Sequence, residues 1–241
     1  MKKVSPVKLI HRSVQNLGGI STYRIYSEVR PIMLKAVIFD FDGTLADTGY
    51  ILYKVYDRLA EKHDLPPIPY GELDELRSMS IRARFKKAGV SFLKLPRLAR
   101  EALQIYSEFI GSAEPFPGIE ELIRNLKDEG FILSIVSSNS ARNIKSFLAA
   151  HDLELFDQIR CSSNLFGKHR AINQALRELG IASEAAVYAG DELRDINACK
   201  RVPIRIIAVS WGYDHLNLLT KGEPDFLAYT PADIMQIATG L

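Results

Sequence analysis

Two aspartates, Asp40 and Asp42, close the apolar run Val37-Ile38-Phe39 and are followed at once by Gly43-Thr44. Side chains alternate along a strand, so the pair projects to one side where the strand ends. Carboxylates held together repel and resist joint ionisation. A cation in the gap, or a proton passed between reaction partners, removes that penalty. The segment predicts a site for a hard, oxygen-preferring metal and for carboxylate chemistry.

Other polar groups follow other strand-like runs. Residues 131–136 lead into Ser137-Ser138-Asn139, and residues 158–161 into a loop containing Gly167-Lys168. Residues 186–189 lead into Gly190-Asp191-Glu192, with Asp195 further along. In an open α/β sheet, ligands bind beyond the carboxyl ends of parallel strands, and every one of these groups falls at that edge.

The elements that must hold them alternate. Strands are expected at 34–39, 131–136, 158–161, 186–189 and 205–209, with helices at 119–129, 141–150, 169–179 and 195–201. Leu122, Ile123 and Leu126 recur at helical spacing. Thr230-Pro231 reads as an N-cap followed by proline at the first helical position, opening a last helix through Ile237. Strands separated by helices imply a mostly parallel sheet covered on both faces. Residues 48–114 break the rhythm. Leu52, Val55, Tyr56 and Leu59 form one helical stripe and Leu98, Ala102, Ile105 and Phe109 another, punctuated by prolines. The domain reading is therefore a core of 34–47 and 115–241, a helical cap of 48–114, and a basic, poorly ordered extension of 1–33.

Composition narrows the class. The 241 residues are 47% hydrophobic and 25% charged with net charge +2, enough for one sizeable core plus a small module. Residues 1–33 carry Lys2, Lys3, Lys8, Arg12, Arg24 and Arg30 against Glu28 alone. This leader reads as an organellar-type targeting segment, an unstructured tail, or an upstream extension with Met33 as the working start. Cys161 and Cys199 are the only cysteines, against a disulfide scaffold or zinc site and in favour of a reducing cytoplasm. No apolar run is long enough to span a bilayer, so no membrane partner is expected. Nothing in the domain supports nucleic-acid binding, and monomer or homodimer is expected.

The motifs Asp40-Phe41-Asp42-Gly43-Thr44, Ser137 after a strand, Lys168, and Gly190-Asp191-Glu192-Leu193-Arg194-Asp195, in this order, resemble those of the haloacid dehalogenase superfamily, and within it the phosphoglycolate-phosphatase-like hydrolases. The resemblance runs from Leu34 to about the C-terminus. It implies an α/β fold with a Rossmann-like parallel sheet core and a small α-helical cap. It also implies a phosphatase of a small phosphorylated metabolite, phosphoglycolate leading, that works through an aspartyl-phosphate.

By that resemblance Asp40 is the nucleophile and Asp42 the general acid and base. Thr44, Ser137, Ser138, Asn139 and Lys168 serve the phosphoryl group, with His169 and Arg170 as neighbouring competitors to Lys168. Mg²⁺ is held by the Asp40 carboxylate, the Asp42 backbone carbonyl and Asp191, with Asp195 in support. Glu192 either binds metal-bound water or faces solvent. Asn139 and Ser140 compete to cap the helix at 141–150. Arg77, Arg82, Arg84, Lys86 and Lys87 cluster in the cap and could hold an acidic leaving group, though most read as solvated. Ser78-Met79-Ser80-Ile81-Arg82 is the candidate specificity loop, and Trp211-Gly212-Tyr213 either lines the entrance or packs.

The family's dehalogenase branch lacks an acid where Asp42 stands, and its phosphonate-cleaving branch needs a cap lysine that cannot be placed. Two alternatives stay open. One is a sugar-phosphate mutase, which shares the core residues; Asp47-Thr48-Gly49-Tyr50 begins like that branch's hinge but lacks its histidine. The other is a non-catalytic binding protein on this scaffold.

Overall fold

The computed structural model describes residues 34–91, 93–162 and 167–241. The leader, residues 1–33, lies outside the described residues. The chain opens with β1 (Ala36–Phe39) and β2 (Ala46–Asp47), then α1 (Gly49–His63), α2 (Leu73–Arg77), α3 (Ile81–Lys87) and α4 (Leu95–Phe109). β3 (Glu114–Pro115), α5 (Ile119–Asp128), β4 (Ile132–Ser137), α6 (Ala141–Ala150), β5 (Gln158–Cys161) and α7 (Lys168–Leu179) follow. The last elements are β6 (Ala186–Gly190), α8 (Leu193–Lys200), β7 (Arg205–Val209), α9 (Leu216–Lys221), β8 (Phe226–Ala228) and α10 (Pro231–Gly240).

Six strands form one sheet ordered β5-β4-β1-β6-β7-β8, with every neighbouring pair parallel. This is the expected α/β, Rossmann-like architecture. β1 lies inside it: Ala36 faces Ile132 of β4 on one side and Ala186 of β6 on the other. Its burial on both faces explains why Ala-Val-Ile-Phe is apolar throughout rather than alternating. Val37 and Phe39 join the core made with α5, α6 and α10. Ala36 and Ile38 join the core on the other face, with α7, α8 and α9. Together these two layers fix β1, so the residue that follows Phe39 has a fixed place.

The helices α1–α4 leave and return at one point. β2 pairs antiparallel with β3, matching Ala46 to Pro115 and Asp47 to Glu114, and Phe116 N–H bonds Leu45 O. Glu114, expected inside the insert, thus closes its base. Of the stripe expected on α1, Val55 and Leu59 are buried and Tyr56 half-buried, but Leu52 is 37% exposed and Ile51 and Ala60 are buried instead. Ile51 packs toward the sheet core because α1 starts directly at the β2–β3 clasp. On α4, Leu98 is buried as expected, and Tyr106 is buried with it.

Four short elements carried no usable sequence pattern. β8 has three residues, β2 and β3 have two each, and α9 has six. The Thr230 cap is present as a box with Asp233, and its helix runs on to Gly240. Among the described residues, no helix is long and apolar enough to cross a membrane.

Candidate active site

Asp40 is the first residue past β1 and is 1% exposed. Its Oδ1 accepts the Phe41 N–H at 2.8 Å, and its Oδ2 accepts from Lys168 Nζ at 2.5 Å. Lys168 opens α7 rather than lying in the preceding loop, and it is buried. Its ammonium also bonds Asp195 Oδ1. Burial alone would strip its proton, but the charges of Asp195 and Asp40 override that and raise its pKa. His169 and Arg170, by contrast, make no such bond to Asp40.

β6 delivers the acids. Asp191 is fully buried; its Oδ1 accepts from the Thr44 hydroxyl at 3.0 Å and its Oδ2 from Tyr213 N–H at 2.7 Å. Gly43, with φ of 77°, and Gly212 press on either side of this carboxylate, and a Cβ at either place would overlap it. Glu192 is buried too, which answers its open assignment: it faces inward, paired with Arg194 and 3.8 Å from Arg84. Glu192 and Asp195 form a capping box for α8, Glu192 N–H donating to Asp195 Oδ2 at 3.1 Å. That box extends α8 two residues upstream of its expected start.

Burial and the charges of Glu192, Asp40 and Asp195 hold Asp191 well above the usual carboxylate range. Asp195 is pushed up to about 7, burial outweighing Lys168. Glu192 goes the other way, because Arg194, Lys168 and Arg84 outweigh its burial. Asp40, Asp191, Glu192 and Asp195 thus share the Lys168 and Arg194 cations, with Arg84, 3.8 Å from Glu192, also paired to Asp214. Carboxylate oxygens of Asp40, Glu192 and Asp195 lie within 4.8 Å of one another. An oxygen-only donor set with surplus negative charge fits a hard divalent cation such as Mg²⁺. Asp191 stands outside that tight trio because Thr44 and Tyr213 hold its two oxygens.

Asp42 sits in a separate network. Its Oδ1 accepts from Tyr106 at 2.7 Å and Thr48 at 3.0 Å, and Asn139 Nδ2 reaches Oδ1 at 3.3 Å and Oδ2 at 3.0 Å. Asn139 is oriented by Ser140 N–H and Asn143 Nδ2, which both bond its carbonyl oxygen. Burial lifts the Asp42 pKa most, the Asp40 charge adds to it, and Tyr106, Asn139 and Thr48 oppose.

At the end of β4, Ser137 Oγ accepts Asn139 N–H at 3.0 Å, while Ser140 caps α6 by accepting Asn143 N–H. Ser137, Ser138, Ser162, Lys168 and Arg194 line a crevice too tight to admit a water molecule as it stands. Arg194 Nη1 is buried with no hydrogen-bond acceptor among the described residues. A buried donor without a partner is costly, so cations, hydroxyls and a spare N–H gathered around this crevice suit an anion better than a neutral group.

Of the expected site residues, Asp40, Lys168 and Asp195 come together directly. Thr44 and Asn139 spend their side-chain donors on Asp191 and Asp42. Sequence reasoning missed Arg194, Tyr106 and Thr48. Arg194 stood inside the quoted motif, but its role depends on the Glu192 pairing, which spacing does not reveal. Trp211-Gly212-Tyr213, left between entrance and packing, forms a wall of the site: Trp211 Nε1 bonds Thr44 O, and Tyr213 holds Asp191. The cations expected to form a cap cluster are largely committed. Arg84 pairs with Asp214 and Lys87 with Glu72 and Glu75, while Arg77 donates to the Gly212 and Tyr213 carbonyls.

A sheet edge that gathers a buried aspartate, a lysine, a serine and an acidic loop defines a phosphate-handling hydrolase. The chain belongs to the haloacid dehalogenase-like hydrolases, whose family model matches residues 37–209. It falls in the enzymatic class of phosphoric monoester hydrolases. It is 32% identical over 209 residues to a phosphoglycolate phosphatase of Synechococcus elongatus, covering 86% of this chain and 99% of that one. It is 26% identical to an N-acetylmuramic acid 6-phosphate phosphatase of Pseudomonas aeruginosa, over 78% of this chain and 86% of that one. Its fold resembles a crystal structure of a predicted phosphatase from Clostridium acetobutylicum, with TM-score 0.74 and 22% identity over 87% of this chain and 100% of that one.

Proposed function

We propose that this phosphatase hydrolyses a small phosphomonoester, phosphoglycolate first among candidates, through an aspartyl-phosphate on Asp40 and with Mg²⁺ as cofactor. One observation carries the reading: the buried Asp40 carboxylate meets the Lys168 ammonium at 2.5 Å, beside a crevice lined by Lys168, Ser137, Ser138 and Arg194. Phosphoglycolate is favoured because the relative named for it matches 86% of the chain.

Asp40 attacks phosphorus as the ester P–O bond breaks. Lys168 steadies Asp40 before attack and the phosphoryl oxygens during it. Ser137 and the spare Arg194 N–H hold those oxygens in place. Asp42 gives its proton to the leaving alkoxide, then takes one from the water that cleaves the aspartyl-phosphate. Its raised pKa suits the first duty. Asp40, the Asp42 backbone carbonyl and Asp191 would hold Mg²⁺, with Asp195 and Glu192 in support. When bound, the ion offsets repulsion between carboxylate and phosphate. The helices α1–α4 act as a cap that excludes water and receives the leaving group.

The test is phosphate release from phosphoglycolate and a panel of phosphomonoesters, with Mg²⁺ and with EDTA. Turnover that EDTA abolishes, and that Asp40→Asn lowers by at least about 10³-fold, is expected. Borohydride reduction should convert residue 40 of the phosphorylated enzyme to homoserine. An Asp40→Asn variant with normal turnover would refute the reading.

A further inference from the structure

The Asp42 carboxylate is held by two hydroxyls of the helical insert. Tyr106, on α4, is 2% exposed and donates to Oδ1 at 2.7 Å. Thr48, at the start of α1, donates to the same oxygen. The Thr48 hydroxyl has one hydrogen, so its 3.1 Å contact with Tyr213 must be donated by Tyr213. A line of hydroxyls thus runs Tyr213 to Thr48 to Asp42, and Tyr106 joins from the other element. Among the described residues, Oδ2 has only the Asn139 amide, which it shares with Oδ1. The two oxygens are therefore unequal. Oδ1 is saturated with donors, and a proton there would clash with them. Oδ2 is the oxygen left to carry one.

We propose that Tyr106 is a positioning residue for proton transfer. By saturating Oδ1 it makes Oδ2 the acidic oxygen of Asp42 and fixes its direction. The proposal rests on the general acid–base role given to Asp42 above. The Asp40 oxygen–phosphorus bond forms, the ester P–O bond breaks, and the Oδ2 proton passes to the departing alkoxide. Asp42 is left as a carboxylate accepting from Tyr106 and Thr48. Both hydroxyls favour that charged product, so they assist the transfer as well as aim it. Because Tyr106 comes from α4, proton delivery is complete only where the insert sits as it does here.

The experiment uses ethyl phosphate and 2,2,2-trifluoroethyl phosphate, which are alike in size but release alkoxides of different basicity. Only the more basic alkoxide needs a proton as it leaves. kcat/KM is measured with Mg²⁺ for the wild-type protein and for Asp42→Asn, Tyr106→Phe and Thr48→Val, alongside unfolding temperature. Proton donation contributes about 10²–10⁴-fold, so Tyr106→Phe should lower kcat/KM by at least about tenfold on ethyl phosphate. The loss on the trifluoroethyl ester should stay under about threefold, with Thr48→Val moving the same way. Equal losses on both esters, as a merely structural role would give, would overturn the proposal, and so would no loss on either. If Asp42→Asn itself showed no preference between the esters, the acid–base role of Asp42 would fail first. A wild-type protein that released phosphate from neither ester, nor from phosphoglycolate or the wider panel, would refute the phosphatase reading beneath both.

Discussion

Gly190 closes β6 one residue before the acidic loop, and space alone dictates its identity. A Cβ there would stand 2.6 Å from Asp195 Oδ2, 2.9 Å from Asp195 Cγ and 2.9 Å from Tyr188 Cε1. Carbon atoms in good contact sit about 3.5–4.0 Å apart. Gly190→Ala must therefore displace both Asp195 and Tyr188 by roughly 0.6–1 Å. Both are fully buried, the Tyr188 hydroxyl bonded to Val136 O and Asp195 to Lys168 and Glu192 N–H, so the Asp195 carboxylate cannot keep its place. Its movement loosens the Lys168 pair and the Glu192 N–H bond together. Overpacking of this kind costs about 1–3 kcal/mol, and a domain of this size loses about 2–4 °C of Tm per kcal/mol. Misplacement near 1 Å costs about 10²-fold in rate. The assay is thermal unfolding plus kcat/KM on whichever phosphomonoester proves best. The control is Gly111→Ala, where an added Cβ meets nothing within 4 Å. If Gly190→Ala matched that control in both measurements, the steric reasoning would be wrong.

The remaining predictions concern charge. Lys168→Met leaves Asp40 and Asp195 buried without their cation. It should cost about 3 kcal/mol at pH 8 by denaturant titration, and less at pH 5.5, where Asp195 can take a proton. In the metal-free protein, folding raises the pKa of Asp195 to about 7 and of Asp214 to about 6, both above their unfolded values near 3.8. The native state then binds more protons than the unfolded one, so stability falls as pH rises from 5 to 7.5. Added Mg²⁺ should flatten that slope, which unfolding curves with EDTA and with Mg²⁺ will read. Asp191→Asn should raise the Mg²⁺ concentration needed for half-maximal activity by more than about tenfold, and Glu192→Gln by less; the reverse order would place the ion on the tight trio of Asp40, Glu192 and Asp195.

Much of the scaffold could be read from pattern. Fully buried parallel strands write themselves as continuous apolar runs, so β1, β4, β6 and β7 were visible. Short edge strands such as β8 were not, since three residues carry no period. The insert's helices were legible as helices, but the burial of Ile51 in place of Leu52 was not, because the β2–β3 clasp sets where α1 starts and two-residue strands leave no trace. Asp40, Lys168 and Asp195 could be found because each follows or opens an element at one edge of the sheet. Tyr106 could not, because a tyrosine on an amphipathic helix reads as ordinary packing until its hydroxyl is seen on a carboxylate. Arg194 stood inside a recognisable motif, yet spacing is silent on which acid a cation chooses. The inward turn of Glu192 follows from the α8 capping box, a local rule that the motif masked.

The sheet order has a consequence for how the chain is made. β1 is synthesised first, but its hydrogen-bonding neighbours begin at Ile132 and Ala186. Until those arrive, a nascent chain carries an apolar strand with both edges open, a template for pairing with other chains. Catalytic competence must then appear late and all at once, when the acidic loop after β6 leaves the ribosome. The helices that come between can form on their own contacts in the meantime, which keeps the waiting interval short of bare backbone.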